Sequence, residues 1–335
     1  MDKPTACAPP GCPRSAQSRR RLASVSVDLD PIGCYTAIHG LAPPAEALRH
    51  VVLERALPRF LDLFARYKVR ATFFVVGSDL EVAGNRALLA EAVAAGHELG
   101  NHSHTHPYDL ARRERAAILQ DVRACHEALR SLLGVVPRGF RSPGYDMSVC
   151  LLDVLQEIGY RYDSSLLPSW PYYVAKLGVL AAMALRGRTS RAVLTSPAAL
   201  LCPPLPYRPD PQRPHRRGQA TLVELPVATT PGMRLPAIGT TLVLSERLRL
   251  HVLEAMQARP FFNLEMHGMD LLGAQQDHLP ADLVRRQPDL QVPLAAKWQA
   301  LASTLERLSA DHDIVPLREV ADEVHRHGGI FRPRS

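Results

Sequence analysis

The run His-Ser-His-Thr-His at residues 102–106 is the densest group of potentially reactive side chains in the sequence. If a helix begins here, His102 and His106 are four positions apart and share a face, whereas His104 points elsewhere. Two neutral imidazoles suit Zn²⁺ and similar divalent ions, but they leave the coordination incomplete. We therefore expect a carboxylate from another strand to complete a metal site.

Two aspartates in the sequence SVDLDP are candidates for that carboxylate. Asp28 and Asp30 follow an apolar run, and Pro31 helps to end the predicted strand. Strand ends are where barrel enzymes carry their catalytic residues. On their own, two aspartates at this spacing are more typical of an Asx turn or a helix cap. The histidine run at residues 102–106 makes a metal site the favoured interpretation.

Short β-rich segments alternate with helical stretches from residue 21 onward, which is typical of an α/β fold with parallel strands. Apolar periodicity predicts helices over residues 45–67 and 111–133, and Pro58 is expected to start, split or kink the first of them. The predicted strands lie at residues 22–28, 70–76, 97–102, 138–141, 160–163, 221–227, 261–267 and 314–317.

Residues 166–218 interrupt this alternation of strands and helices and resemble an insertion. Its apolar stretch, residues 172–185, contains Lys176 and is shorter than the roughly 20 residues of a membrane-spanning helix, so we expect no crossing. A core helix covering one side of the barrel is the favoured interpretation. The alternative is an interfacial helix, flanked by arginines, that contacts a membrane through residues 166–191.

The composition limits the class of protein. With 46% hydrophobic and 22% charged residues among 335, disordered and fibrous proteins are excluded. The net charge is +7, but no basic cluster alternates with aromatic residues, so we expect no nucleic-acid partner.

Six cysteines without any CxxC pair argue against a disulfide framework and against a thiolate zinc cluster. Residues 1–21 are predicted to be a disordered tail and have no apolar run typical of a signal peptide. We therefore expect a cytoplasmic protein, with membrane association left open.

The motifs SVDLDP, ATFFVVG, GHELGNHSHTHP, GFRSPGYDMS, YRYDSS and NLEMHG occur in the order seen in polysaccharide deacetylases of the NodB-homology family. Over residues 24–268 the chain resembles this family of metal-dependent carbohydrate N-deacetylases. The resemblance implies a distorted (β/α) barrel, seven-stranded, with its site at the C-terminal mouths of the strands. We expect one such domain over residues 22–330, interrupted by the insertion.

The resemblance also implies a metal site and a catalytic base. Asp30, His102 and His106 correspond to the metal ligands, and Asp28 corresponds to the base. Leu29 separates the two aspartates, whereas many family members have them adjacent. The roles of Asp28 and Asp30 could therefore be exchanged.

The remaining motifs imply the other parts of the site. Arg141 corresponds to the arginine that tethers the base, and the backbone amide of Gly144 or Tyr145 would bind the oxyanion. His267 corresponds to the general acid, and Asp163 to the aspartate that orients it.

Together these expectations describe an amide hydrolase that uses one divalent metal ion, for which we expect Zn²⁺. It would remove an N-acetyl or N-formyl group from a sugar of a polysaccharide or a lipid-linked glycan. Two alternatives stay open: an inactive glycan- or lipid-binding barrel, and a related C–N hydrolase acting on a small non-sugar amide or ureide.

Overall fold

The computed structural model of the chain describes residues 21–257 and 259–328. The predicted N-terminal tail lies outside the described residues, except for Arg21, which begins the first strand. Cys7 and Cys12 lie outside them as well. The described cysteines, Cys34, Cys125, Cys150 and Cys202, are free thiols.

The strands are β1 Arg21–Asp28, β2 Thr72–Val75, β3 Glu98–Asn101, β4 Gly139–Phe140, β5 Tyr162–Asp163, β6 Pro209–Asp210, β7 Arg213–Arg217, β8 Val223–Glu224, β9 Phe261–His267 and β10 His312–Ile314. Seven parallel strands form the central sheet, in the order β9, β1, β2, β3, β4, β5, β8. A short eighth strand, β10, pairs with the start of β1, and β6 and β7 form a separate antiparallel hairpin.

The chain after β8 returns to β9 and brings the two ends of the sheet together. The Ala228 amide donates to the Asn263 carbonyl at 2.9 Å, and Ile238 forms a parallel bridge with Glu265. The seven strands therefore make the distorted (β/α) barrel that the sequence predicts.

The register of the sheet aligns the carboxyl ends of the strands. Asp28, the last residue of β1, is opposite Phe74 on β2 and His267 on β9. Because parallel strands end at the same edge, the polar residues that follow them meet at one mouth of the barrel.

The helices cover the outside of the barrel. They are α1 Ile32–Ile38, α2 Leu57–Tyr67, α3 Ala83–Ala94, α4 Arg115–Leu133, α5 Val149–Ile158, α6 Trp170–Leu185, α7 Gly239–Leu244, α8 Glu246–Gln257, α9 Ala281–Arg286, α10 Leu294–Asp311 and α11 Leu317–Arg326. Short 3₁₀ turns lie at Glu46–Leu48, Gly77–Glu81, Leu110–Arg112, Pro143–Tyr145, Pro197–Leu201, Gly268–Leu271 and Pro288–Gln291, and one π-helical turn lies at Val52–Ala56.

The first predicted helix, over residues 45–67, is divided as its proline suggests. Pro58 lies in the first turn of α2, directly after the π-helical turn, and the chain stays helical from residue 51 to residue 67. A proline removes one amide donor from the helical hydrogen bonds, so the regular α-helix is interrupted here. The aromatic face of α2 packs on the sheet, with the Phe64 and Phe73 ring centroids 5.9 Å apart. This packing anchors β2 beside β1.

The last predicted strand, over residues 314–317, is misplaced. β10 spans His312–Ile314, whereas Leu317 begins α11. Pro316 precedes that helix and cannot donate a ladder hydrogen bond, so the strand ends before it.

The predicted insertion contains α6 and the β6–β7 hairpin. The favoured prediction of a core helix is wrong, because α6 has no buried residue. It lies over the barrel mouth instead, where Tyr172 packs on Tyr145 with ring centroids 5.4 Å apart. Across the described parts of the chain, we find no helix with both the length and the hydropathy needed to cross a bilayer.

Candidate active site

The loop after β3 brings two of its three histidines together without forming a helix. His102–His106 is irregular, with positive φ at Ser103 (+64°) and His106 (+52°), so the predicted helical spacing is wrong. The Ser103 amide donates to Asn101 Oδ1 at 2.7 Å, and the His106 amide donates to Ser103 Oγ at 3.0 Å. These bonds close a tight turn that places the rings of His102 and His106 4.8 Å apart.

Asp30 completes a buried cluster with these two histidines. Its Oδ1 lies 3.0 Å from His102 Nε2 and 3.1 Å from His106 Nε2. The oxygen is buried and has no hydrogen-bond partner, as expected when three atoms face a common point rather than one another. Ligands of a tetrahedral Zn²⁺ at ordinary bond lengths lie about 3.3 Å apart, so the three atoms fit one divalent ion.

The second ring nitrogen, Nδ1, of both His102 and His106 also has a polar contact. His102 Nδ1 lies 2.8 Å from the Arg141 carbonyl, which can only accept, so in the neutral ring Nδ1 carries the proton and Nε2 has a free lone pair. His106 Nδ1 lies 3.3 Å from Cys34 Sγ. Such contacts fix ring orientation at metal sites. His104 points away, with its Nε2 3.9 Å from Glu81.

Asp28 lies beside this cluster and forms a buried ion pair. Arg141 Nη1 donates to Asp28 Oδ1 at 2.6 Å, while Asp28 Oδ2 lies 3.7 Å from His102 Nε2. Arg141 is fixed by further bonds to the carbonyl and hydroxyl of Ser164, both at 2.8 Å. Burial alone would raise the pKa of Asp28, but Arg141 and the nearby imidazoles lower it below its ordinary value.

Replacing Arg141 with Met should destabilise the protein by about 3–5 kcal/mol, because a buried carboxylate loses its partner. Arg138→Met is the matched control, because Arg138 binds Asp322 with two hydrogen bonds at a site about 40% exposed, where a cost under about 1 kcal/mol is expected. Urea unfolding followed by circular dichroism measures both. The double variant Asp28→Asn/Arg141→Met should recover part of the loss. Equal costs for the two arginine variants would contradict this account.

His267 ends β9 and faces the cavity from the strand next to Asp28. Its Nε2 lies 3.7 Å from Glu265 Oε1 and 3.4 Å from Tyr145 Oη, and the Tyr145 hydroxyl donates to the same glutamate oxygen at 2.9 Å. Burial disfavours the charged imidazole, but Glu265 and Asp28 favour it and raise the pKa of His267 to about 9. Burial and Asp28 raise the pKa of Glu265 to about 8.

Sequence reasoning missed Glu265. The two-residue period of a β-strand indicated its position. Asn263, Glu265 and His267 alternate with apolar residues along β9, so their side chains point to the same side of the strand. Glu265 is fully buried inside the barrel. A buried acid two positions before a candidate catalytic histidine was therefore recognisable.

Asp163 does not contact His267, contrary to the expected orienting role. Its carboxylate accepts the Ser165 amide at 3.0 Å and the Ser165 hydroxyl at 2.7 Å. The turn after β5 therefore occupies both of its oxygens. Among the described residues, Glu265 is the carboxylate within ion-pair distance of the His267 ring.

A cavity of about 460 Å³ connects these groups to the surface. Asp28, Asp30 and the imidazoles form its floor. Gly144 and Tyr145, both at positive φ, line one wall, where the resemblance expects an oxyanion contact. Trp170, at the exposed start of α6, is not part of this lining, whereas Tyr172 is.

A second group of three potential ligands lies next to the first. Oxygens of Asp28 and Glu265 and a nitrogen of His267 lie within 4.8 Å of one another. However, Arg141 Nη1 is 2.6 Å from Asp28 and 3.9 Å from Glu265, so a fixed positive charge already balances these carboxylates. Electrostatics therefore favour the cluster of Asp30, His102 and His106 for a cation.

Parts of the chain are similar to polysaccharide deacetylases. The family model described as polysaccharide deacetylase matches residues 51–162, which include His102, His106 and Arg141. The peptidoglycan deacetylase of Helicobacter pylori is 29% identical over 160 residues, which cover 46% of this chain and 53% of that protein. The chitooligosaccharide deacetylase of a Bradyrhizobium species is 41% identical over 87 residues, covering 26% and 38%. The chain thus spans about half, or less, of the length of these relatives.

A solved structure supports the fold. A Mycobacterium smegmatis protein assigned to the polysaccharide deacetylases superposes with a TM-score of 0.59 at 18% identity, covering 98% of this chain and 99% of that one. The family model, the curated relatives and the barrel agree with the order of the motifs. Residues 51–162 of this chain thus match the polysaccharide deacetylase family, and the fold around them agrees with that match.

Proposed function

We propose that this protein is a metal-dependent amide hydrolase that removes an N-acetyl or N-formyl group from a sugar of a glycan. The observation that carries the proposal is the convergence of Asp30, His102 and His106 beside the Asp28–Arg141 pair, with His267 on the adjacent strand. The names of the relatives, which are peptidoglycan and chitooligosaccharide deacetylases, support a glycan as the substrate.

Asp30, His102 and His106 would hold the metal ion. When bound, such an ion lowers the pKa of a coordinated water and polarises an acyl oxygen, and Zn²⁺ suits this mixture of imidazole and carboxylate ligands. The choice of Zn²⁺ rests on that ligand chemistry.

Asp28 accepts the proton of the water that attacks the acyl carbon. Arg141 prepares it for this role, because the guanidinium keeps the carboxylate ionised and holds its Oδ1. The other oxygen of Asp28, Oδ2, faces His102, one of the three residues that would hold the ion. The backbone at Gly144 and Tyr145 supplies donors for the developing oxyanion, a contribution worth roughly 3–4 kcal/mol in hydrolases.

His267 then gives its proton to the departing nitrogen. An amine leaves poorly as an anion, so breaking the C–N bond requires this proton. The carboxylates of Glu265 and Asp28 raise the pKa of His267 to about 9, so the ring is protonated at neutral pH. Water supplies the hydroxyl of the released carboxylic acid, and the sugar keeps a free amine.

The pH profile of kcat should be bell-shaped. The Glu265→Gln variant should have the basic limb of this profile at lower pH. Activity requires protonated His267 and is lost as pH rises through the pKa of that ring. Glu265, with a pKa of about 8, is ionised at the pH of this limb, so removing its charge lowers the pKa of His267. We expect the limb to shift down by roughly one unit or more. The pH profile of kcat measures the shift.

Glu224→Gln is the matched control, because Glu224 is also a buried glutamate but binds the Leu166 amide near Asp163. Its basic limb should stay in place. A shift in the control variant, or none in Glu265→Gln, would contradict the assignment of Glu265.

The proposal is tested by incubating the metal-loaded protein with N-acetylated and N-formylated sugars, both free and lipid-linked. Release of acetate or formate supports the hydrolase. Binding of a glycan without release, unchanged in Asp28→Asn, would favour the noncatalytic barrel. Release from small amides or ureides alone would favour the related C–N hydrolase.

A further inference from the structure

Helix α6 presents an apolar surface to solvent over its whole length. The exposed fraction is 56% for Val174 and 47% for Leu177. We define the α6 face as the large exposed side chains on one side of the helix, which are Trp170, Val174, Leu177 and Leu185. Contiguous apolar surface of this kind marks protein or membrane contacts in soluble folds.

The one basic residue of the helix does not reach this face. Lys176 Nζ points inward and donates to the Gly144 carbonyl at 3.4 Å, at the wall of the cavity. Partial burial lowers the pKa of Lys176 to about 8. The α6 face therefore carries no charged group.

The chain segment that contains α6 carries charge of one sign. Between Asp163 and Asp210 the sequence has no acidic residue, while it has Lys176, Arg186, Arg188, Arg191 and Arg208. No carboxylate within residues 21–257 or 259–328 pairs with any of the three arginines that follow α6. Unpaired arginines beside an apolar helix are complementary to an anionic lipid surface.

The apolar surface continues into the cavity. Tyr172 and Lys176 line it from α6, while Leu244 and Leu248 line it from α7 and α8 and are also 44% and 40% exposed. The side chains that border the mouth are thus largely apolar on both sides. A molecule held in a bilayer against the α6 face would have direct access to the site.

We infer that the α6 face docks on an anionic bilayer, so that a sugar attached to a membrane lipid enters the cavity from the membrane plane. The lipid-linked substrate rests on the proposed function, whereas the docking does not. A second copy of the chain is the less favoured occupant, because a two-fold contact through this face would bring two sets of unpaired arginines together.

Vesicle flotation tests the docking. The full chain should float with phosphatidylcholine vesicles that contain phosphatidylglycerol, and much less with phosphatidylcholine alone. The chain has two tryptophans, so Trp298→Phe leaves Trp170 on the α6 face as the fluorescent reporter. Brominated lipids should quench it. No flotation and no quenching in the presence of phosphatidylglycerol would overturn the inference.

A matched pair of double variants locates the contact. Val174→Glu/Leu177→Glu should reduce the vesicle-bound fraction about tenfold, because two carboxylates replace apolar contacts. Leu132→Glu/Val136→Glu is the control, since these residues are 47% and 60% exposed on another surface. Equal loss in both variants would overturn the assignment to α6.

Two activity measurements separate this inference from the proposed function. Val174→Glu/Leu177→Glu should keep the hydrolysis of a short soluble N-acylated sugar but lose that of a lipid-linked one in vesicles. If neither substrate is hydrolysed by the unaltered chain while vesicles bind, the hydrolase proposal fails and the docking stands. A concentration-dependent dimer that this variant abolishes, without vesicle binding, would overturn the docking.

Discussion

Replacing Asp28 with Asn should lower kcat/KM for hydrolysis of an N-acylated sugar by about 10²–10⁴-fold, the range expected for loss of a general base. Asparagine keeps an oxygen that can accept the hydrogen bond of Arg141, which now arrives at 2.6 Å. It cannot accept the proton of the attacking water. Glu265, 3.9 Å from Arg141, still offers the guanidinium a carboxylate, so the barrel should fold.

Steady-state kinetics and metal analysis of the same preparation measure this effect. Metal content should be unchanged, because Asp28 lies outside the cluster that would hold the ion. Asp62→Asn, at an exposed ion pair on α2, controls for the substitution itself. If Asp28→Asn loses the metal while Asp30→Asn keeps it, the roles of the two aspartates are exchanged.

Replacing His106 with Ala should remove both the metal and the activity, whereas His104→Ala should keep both. The two histidines lie in one loop, but only the Nε2 of His106 lies 3.1 Å from Asp30, while His104 turns toward Glu81. Loss of residues that merely orient ligands costs 10–100-fold in metal affinity, so loss of a ligand should cost more than about 100-fold.

Titration with Zn²⁺, followed by measurement of bound metal, tests this pair. His106→Ala should bind less than the unaltered chain at every concentration, and its hydrolysis should fall in parallel. Equal metal binding by His104→Ala and His106→Ala would contradict the assignment of the cluster.

The order of motifs along the chain was enough to predict the meeting of the main site residues. Asp28, Phe140 and His267 each end a strand, and parallel strands place their carboxyl ends at one mouth. The residues at and just after these ends therefore converge whatever the details of the loops. Their chemical roles stay predictions.

Local hydrogen bonds within turns were harder to predict. The pairing of His267 with Glu265 rather than Asp163 depends on the turn after β5, where Ser165 takes both oxygens of Asp163. Likewise, the histidine loop is closed by Asn101 and Ser103 instead of a helical turn. The spacing of residues in a motif does not show which of several competing local hydrogen bonds will form.

The position of α6 also could not be predicted from the sequence. Its composition suits a core helix and an interfacial helix equally, because hydropathy does not say which neighbours are present to cover it. Here the helix lies across the mouth, and its inner edge contacts the site through Tyr172 and Lys176. That position leaves its other side uncovered.

The central claim is that one divalent ion binds between Asp30, His102 and His106. The most direct test is a crystal of the protein grown with Zn²⁺, measured by anomalous scattering on both sides of the zinc absorption edge. We expect one strong peak about 2.0–2.2 Å from Asp30 Oδ1 and from the Nε2 atoms of both histidines. A peak among Asp28, Glu265 and His267 instead, or no peak at either group, would contradict the account.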